Sequence, residues 1–379
     1  MGYRILVVNW QDLKNPLSGG AEIHLQETLS RLSAWGHQVT LLCSGFDSGP
    51  AEESYDGLRV VRRGRRANFN WVVPRHVRRL LADERFDIVL EDINKIPFYL
   101  SLFTTKPLLV VVPHLFATTV FHEINFLLAS YIFLMERPVS MVYRKRPWMV
   151  ISESTKADLM RRGIPAERIT VIHCGIDHAH YAPDPGVPRF ERPTILYLGR
   201  LKKYKSVDHL LRAAARLPES VGNWRMVVVG AGDDRPRLEH IARQLGIQHR
   251  VEFTGFVDQA VKVDYLRRAH VAVCPSLKEG WGLTNIEANA CGAPVIAADV
   301  PGLQDSVRPG VTGLLYPYGD IDALADRLAR VLVDHALWNT LSTGGLAWAK
   351  SFHWDQGARQ TEALIEQVIR ETARQGSRS

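Results

Sequence analysis

Apolar, β-branched runs alternate along the chain with stretches in which apolar residues recur three and four positions apart. The runs at 4–9, 38–43, 58–61, 87–90, 108–112, 149–152 and 170–172 read as strands. Several have few polar interruptions, which suits strands covered on both faces. Pro183, Pro185, Gly186, Pro188 and Pro193 then break the pattern and read as a linker. A second alternation supplies strands at 194–199, 226–230, 251–253, 271–274 and 295–297. Ile321, Leu324, Ala325, Leu328, Val331 and Leu332 fall at helical spacing, and so do Leu364, Ile365, Val368 and Ile369. The expectation is an α/β protein of two doubly wound, Rossmann-like domains facing a central cleft. Residues 1–185 would form the first and 186–355 the second. Residues 356–379 would give a helix returning to the first domain and a disordered tail from Gln375.

A length of 379 residues agrees with two domains, and 46% hydrophobic with 23% charged residues excludes disorder, collagen and coiled coil as the main architecture. The longest apolar run, 126–135, is about half of what a membrane span needs. Residues 1–10 read as a buried strand rather than a signal peptide, and Leu6 breaks the myristoylation pattern after Gly2. Cys43, Cys174, Cys274 and Cys291 lie far apart, as expected of buried free thiols in a reducing compartment. The net charge of +7 permits an anionic partner: nucleic acid, a phosphorylated ligand or an anionic membrane.

Three segments carry candidate chemistry. After the first strand come Ser18-Gly19-Gly20-Ala21-Glu22, where glycines let backbone approach a ligand and a helix start offers free N–H groups to an anion. A plain strand–loop–helix turn explains that segment equally well. In the second half, Gly199-Arg200 ends a strand and Lys205 follows, so two cations share a strand end, as a leaving diphosphate requires. The most specific segment runs from Pro275 to Ala288. Glu279 stands in a loop, Gly280-Trp281-Gly282 follow, and Leu283, Thr284 and Glu287 lie in the helix start and its body. Such a layout suits a nucleotide sugar, with one acid on the hexose, amides on the diphosphate and the second acid on the ribose.

These motifs resemble the retaining family-four glycosyltransferases, whose fold is the two-Rossmann-domain GT-B. The correspondence covers Glu279-Gly280-Trp281-Gly282, then Glu287-Ala288-Asn289-Ala290-Cys291-Gly292-Ala293-Pro294-Val295, and also Gly199-Arg200 with Lys205, and Gly19-Gly20-Ala21-Glu22. Ser152-Glu153-Ser154 and Cys174-Gly175-Ile176-Asp177 match further family segments, with Cys174 where Asn is usual. The resemblance implies that Glu279 meets the donor hexose, Glu287 the ribose, and Arg200 and Lys205 the diphosphate. Backbone from Gly282 to Thr284, with Gly20, would complete the phosphate cradle. His114 resembles the family's histidine near the reacting sugar, although Leu115 follows where Asp is usual. The implied activity is retaining transfer of a hexose from a nucleoside-diphosphate sugar. A UDP-sugar stands ahead of GDP-mannose as donor, and no metal or other cofactor is essential.

Other signals have simpler explanations. Asp320-Ile321-Asp322 matches a metal-binding DxD but also a capped helix start. His173, Cys174, Asp177, His178 and His180 crowd together without a zinc spacing. His122-Glu123 lacks the second histidine of a zinc protease. Gly230-Ala231-Gly232 lacks a third glycine and precedes two acids. Residues 59–79 hold Arg59, Arg62, Arg63, Arg65, Arg66, Arg75, Arg78 and Arg79 with no acid, and 116–148 is aromatic, aliphatic and finally basic. Those two stretches fit either an anionic membrane surface or a solvated arginine face over core helices. Nucleic acid is not expected, because no binding module accompanies the charge. The combined expectation is a cytoplasmic enzyme, peripheral on the inner membrane face, acting on a glycan or lipid-linked acceptor. A sugar-nucleotide epimerase and a non-catalytic binding subunit are the rival readings.

Overall fold

The computed structural model describes residues 2–94, 96–115 and 126–376. The chain forms two compact units, Met1–Gly175 with Trp354–Ser379, and Ile176–His353.

In the first unit β1 (Arg4–Val8), α1 (Gly20–Ala34), β2 (Gln38–Gly45), β3 (Glu52–Tyr55), β4 (Leu58–Arg65), α2 (Phe69–Asp83), β5 (Ile88–Asp92) and β6 (Leu108–Val112) follow in order. After α3 (Phe126–Glu136) and α4 (Val139–Val142) come β7 (Trp148–Val150), α5 (Glu153–Arg161) and β8 (Ile169–Val171). The sheet order is β3-β4-β2-β1-β5-β6-β7-β8, parallel throughout except for the antiparallel β3–β4 pair. All seven strands expected from apolar runs in this half are present. Edge strand β3 was not expected, because Glu52, Glu53 and Ser54 carry no apolar pattern. It is set instead by Asp56-Gly57, whose φ values of 49° and 77° make the two-residue hairpin turn.

Strand β1 shows why the runs lack alternation. Leu6 and Val8 pack into a core with Phe69, Val73 and Trp148, whereas Ile5 and Val7 face Leu25, Leu29 and Leu109 on the other side. Both faces are covered, so every second residue is no more polar than its neighbours.

The second unit repeats the plan with β9 (Thr194–Leu198), α6 (Val207–Ala214), β10 (Arg225–Val229), α7 (Arg235–Gln244), β11 (Val251–Gly255), α8 (Gln259–Arg268), β12 (Val271–Cys274) and α9 (Leu283–Ala290). Then come β13 (Val295–Ala298), α10 (Leu303–Ser306), β14 (Gly313–Tyr316), α11 (Ile321–Val333) and α12 (His335–Ala349). Its six parallel strands run β11-β10-β9-β12-β13-β14. The order reverses between β9 and β12, the switch point at which ligands of such sheets bind.

The last helix, α13 (Trp354–Gly376), belongs to the first unit. Leu364, Ile365 and Val368 enter the core formed by Ile5, Leu25 and Leu29, and Arg31 on α1 pairs with Asp355 at 2.6 Å. The four cysteines are free and buried, and no described helix is long and apolar enough to cross a membrane.

Candidate functional site

The second unit gathers the most specific of the expected residues at the carboxyl ends of β9 and β12. Beyond β9, Gly199 adopts φ +157° and Arg200 is exposed, its guanidinium 3.4 Å from the Tyr204 hydroxyl. A 3-10 turn, Lys203–Lys205, follows. The Leu277 N–H donates to the Tyr204 carbonyl at 2.8 Å and ties this turn to the loop after β12. The tie brings Lys205 to Glu279: the Lys205 ammonium donates to Glu279 Oε1, with side chains 15% and 19% exposed. Burial by itself lowers the Lys205 pKa. The Glu279 charge, with the neighbouring Tyr204 and Tyr197, outweighs it and holds the ammonium above its ordinary range. The next residue, Ser206, sits in the left-handed region at φ 51° and hydrogen-bonds the Tyr318 hydroxyl at 2.9 Å.

Helix α9 starts from Gly282, whose φ of 77° and tight surroundings exclude a side chain. Leu283 and Thr284 form its open end, and no acid occupies the first turn. An anion at this point would therefore meet N–H groups without a competing carboxylate. Glu287 is buried one turn further in, its carboxylate 2.8 and 2.9 Å from the Lys262 ammonium. Trp281 is buried, edge-on to Phe352 at 5.3 Å, so its indole packs inside the unit.

Sequence reasoning missed three residues that build this edge. Gly302 lies so close to the loop that a Cβ would stand 2.1 Å from the Glu279 carbonyl oxygen. Lys262 on α8 pairs with Glu287, and Tyr181 accepts from Lys262 at 2.6 Å. A lysine in an amphipathic helix looks like a wet face, and neither glycine 302 nor Tyr181 stands in a recognisable spacing. The Gly230-Ala231-Gly232 pair is structural. A Cβ on Gly230 would lie 1.9 Å from the Gly199 carbonyl oxygen, and one on Gly232 2.0 Å from that of Leu201.

In the first unit, Gly19 is the N-cap of α1 and Gly20 its first residue. Glu22 accepts the Gly19 N–H at 2.7 Å and is held by Asn94 at 3.1 Å, so the acid of that motif caps its own loop. Among the described residues, nothing beyond Gly20's chain neighbours and its own helix backbone lies within 4 Å of a Cβ built there. His114 follows β6 and is half-buried, and the preceding Pro113 carbonyl accepts from Thr155 at 3.0 Å. Ser152 caps α5 through the Thr155 N–H. At the end of β5, Glu91 is fully buried and accepts the N–H groups of Phe98, Tyr99 and Leu100 and the Tyr143 hydroxyl. Burial raises its pKa to about 7 against the pull of those donors.

The arginine stretch is mostly neutralised by acids outside it. Arg59 pairs with Glu84 and Glu52, Arg62 with buried Asp12 and with Glu53, Arg63 with Glu52, Arg65 with Asp47 and Arg79 with Asp83. Asp320 accepts the Ala323 N–H at 2.9 Å and so caps α11. Among the described residues, no three His, Cys, Asp or Glu side chains gather to hold a metal ion. His122, Glu123 and the part of the apolar stretch at 116–125 lie outside the described residues.

Comparison with known proteins agrees with this architecture. Residues 185–345 match the family described as glycosyl transferases group 1, and residues 18–180 match glycosyltransferase family 4. The chain is 34% identical over 218 residues to a D-inositol 3-phosphate glycosyltransferase of Kribbella flavida, covering 53% of this chain and 51% of that protein. It thus spans about half the length of that relative, and 56% of the same-named protein of Xylanimonas cellulosilytica. An uncharacterized glycosyltransferase of Methanocaldococcus jannaschii is 25% identical over 94% of this chain and 96% of its own. Among solved structures, sucrose-phosphate synthase of Thermosynechococcus elongatus superposes with a TM-score of 0.83 at 25% identity, covering 97% of this chain and all of that one. Anabaena HepE, in complex with UDP and glucose, superposes with a TM-score of 0.77 at 18% identity over 96% and 100% of the two chains.

Proposed function

For a chain that belongs to the family-four glycosyltransferases with the GT-B fold, we propose retaining transfer of a hexose from a nucleoside-diphosphate sugar, UDP-linked before GDP-linked, to a hydroxyl of a glycan or lipid-linked acceptor. One observation carries the reading. A single loop and helix present Glu279, the open start of α9 and Glu287 in succession, and Lys205 closes on Glu279 from the neighbouring strand. Glu279 then receives the hexose, Lys205 and Arg200 with the Gly282–Thr284 backbone the diphosphate, and Glu287 the ribose. Gly199 and Gly280 admit backbone beside the ligand. Gly19, Gly20 and His114 keep the roles that the resemblance gives them.

The chemistry follows from charge. As the anomeric C–O bond breaks, positive charge grows on the sugar ring and negative charge on the departing phosphate oxygen. Glu279 faces the first and Lys205 and Arg200 the second, so these groups stabilise the transition state beyond the ground state. With front-face attack, the departing phosphate oxygen takes the acceptor's proton, which gives retention without a covalent intermediate or a metal ion.

Membrane attachment belongs to the same reading. Phe126 and Leu127 on α3, Met141 on α4 and Trp71 on α2 are 72–81% exposed, and Arg144 and Lys145 follow. Apolar anchors beside cations suit an anionic headgroup layer. The purified protein should float with vesicles containing anionic lipid and stay behind with zwitterionic ones, and Leu127→Glu with Met141→Glu should abolish flotation.

The donor reading is tested by thermal shift with UDP, GDP, ADP and their sugars. One nucleotide should raise the melting temperature by mass action, and Arg200→Ala and Glu287→Ala should each remove the shift. No stabilisation by any of them at millimolar concentration would overturn the reading and favour a subunit that does not bind nucleotide by itself.

A further inference from the structure

Glu287 does not stand alone in its helix. Its carboxylate lies 2.8 and 2.9 Å from the Lys262 ammonium. That ammonium also donates to the Tyr181 hydroxyl oxygen at 2.6 Å and sits 4.9 Å from the centre of the Tyr181 ring. Gln259, one turn before Lys262 on α8, donates to the same oxygen at 2.7 Å. Burial, then the Glu287 charge, raises the Tyr181 pKa, and a hydrogen bond to Glu287 adds to that shift, so the phenol keeps its proton for the carboxylate. Tyr181 and Glu287 are buried, and only a fifth of the Lys262 side chain is exposed. Three segments of the second unit thus converge on one carboxylate: the stretch after Ile176, helix α8 and helix α9.

We propose that Tyr181 and Lys262 are positioning residues for the nucleotide ribose: they fix the Glu287 carboxylate in the orientation that receives the ribose hydroxyls. The proposal rests on the reading of Glu287 as the ribose acceptor. A buried carboxylate without a cation turns toward whatever donor is near or takes up a proton, and either change removes it as a hydrogen-bond acceptor. Lysine suits the role because its charge lies within 2.9 Å of both carboxylate oxygens, donating to Oε1, while it also donates to the Tyr181 hydroxyl. The phenol in turn keeps the lysine from swinging into solvent. A ligand group that bonds to a preset carboxylate loses little on ordering, so the network favours ribonucleotides over analogues without hydroxyls.

The test is calorimetric titration of the full chain with UDP and GDP, each paired with its 2′,3′-dideoxy analogue. The readout is the ratio of the two dissociation constants, which general destabilisation does not move. The wild type should prefer the ribonucleotide by about tenfold to a hundredfold, as for hydrogen bonds to a charged group. Glu287→Ala should bring the ratio to about one. Lys262→Met should lower it to within a factor of about two of that variant, Tyr181→Phe should lower it several-fold, and Lys262→Arg should restore part of it. If Glu287→Ala loses the preference while Lys262→Met and Tyr181→Phe keep it, the positioning role is overturned and the ribose reading stands. If Glu287→Ala keeps the preference, the ribose reading fails and the proposal falls with it. Should Lys262→Met not fold, Tyr181→Phe decides, since it removes one oxygen and leaves the ring in place.

Discussion

Glu279 and Lys205 pair with each other, so on the proposed reading a diphosphate bound by Lys205 competes with the acid for it. Glu279→Gln should therefore bind free UDP several-fold more tightly while turnover of the sugar nucleotide falls about a hundred- to thousandfold. Calorimetry and initial rates check the two opposite signs, and a loss in both would show that the acid only braces the lysine. Gly302 tests the same loop from behind. Gly302→Ala would put a Cβ 2.1 Å from the Glu279 carbonyl oxygen at a φ of 84°, so the loop must move. The expected fall in kcat is about a hundredfold, the cost of an ångström of misplacement, and UDP affinity should fall with it, because the displaced loop leads directly into the start of α9. Single residues were legible where a local spacing marks them, as from Glu279 to Glu287, which the structure sets on one loop and the helix that follows it. Lys262, Tyr181 and Gly302 were not, because each acts across 25, 106 or 23 positions of chain that no periodicity links.

The elements were more legible than their edges. A parallel strand covered on both faces has to be an apolar run, and the β5 and β6 segments could be read from their Ile, Val and Leu residues. Strand β3 is polar and depends on the turn at Asp56-Gly57, which makes it invisible to such a pattern. The arginine stretch of β4 and α2 looked uncompensated because Glu52, Glu84, Asp12 and Asp47 lie outside it in sequence. The end of β5 carries its own prediction. Glu91 titrates near 7 when folded and in the ordinary glutamate range when unfolded, so between about pH 4.5 and 7 the native state holds a proton that the unfolded chain releases. Its contribution to stability therefore declines as pH rises through that window and levels above it. Buried His24 on α1 acts oppositely. Burial lowers its pKa to about 4, so stability declines as pH falls from 6.5 toward 4. The difference between wild type and Glu91→Gln isolates the first effect: the wild-type denaturation midpoint minus that of the variant should fall as pH rises from about 4.5 to 7, while the variant keeps the His24 rise alone.

At the scale of the whole molecule, two sheets and two sequence families divide the chain near its middle, and α13 breaks the simple order by returning to the first unit. Ile365 is fully buried among residues more than 300 positions earlier, such as Ile5 and Leu29. Ile365→Ala should cost the first unit about 2–5 kcal/mol, seen as a lowered denaturant midpoint. The return has a consequence for biosynthesis. Synthesis runs from the N-terminus, so residues 176–353 have emerged in full, and can close their own core, while the sheet made first still lacks its last covering helix. The half of the protein that leaves the ribosome first is thus finished last, and until α13 arrives Leu25, Leu29 and their neighbours present an apolar surface to the cell's chaperones.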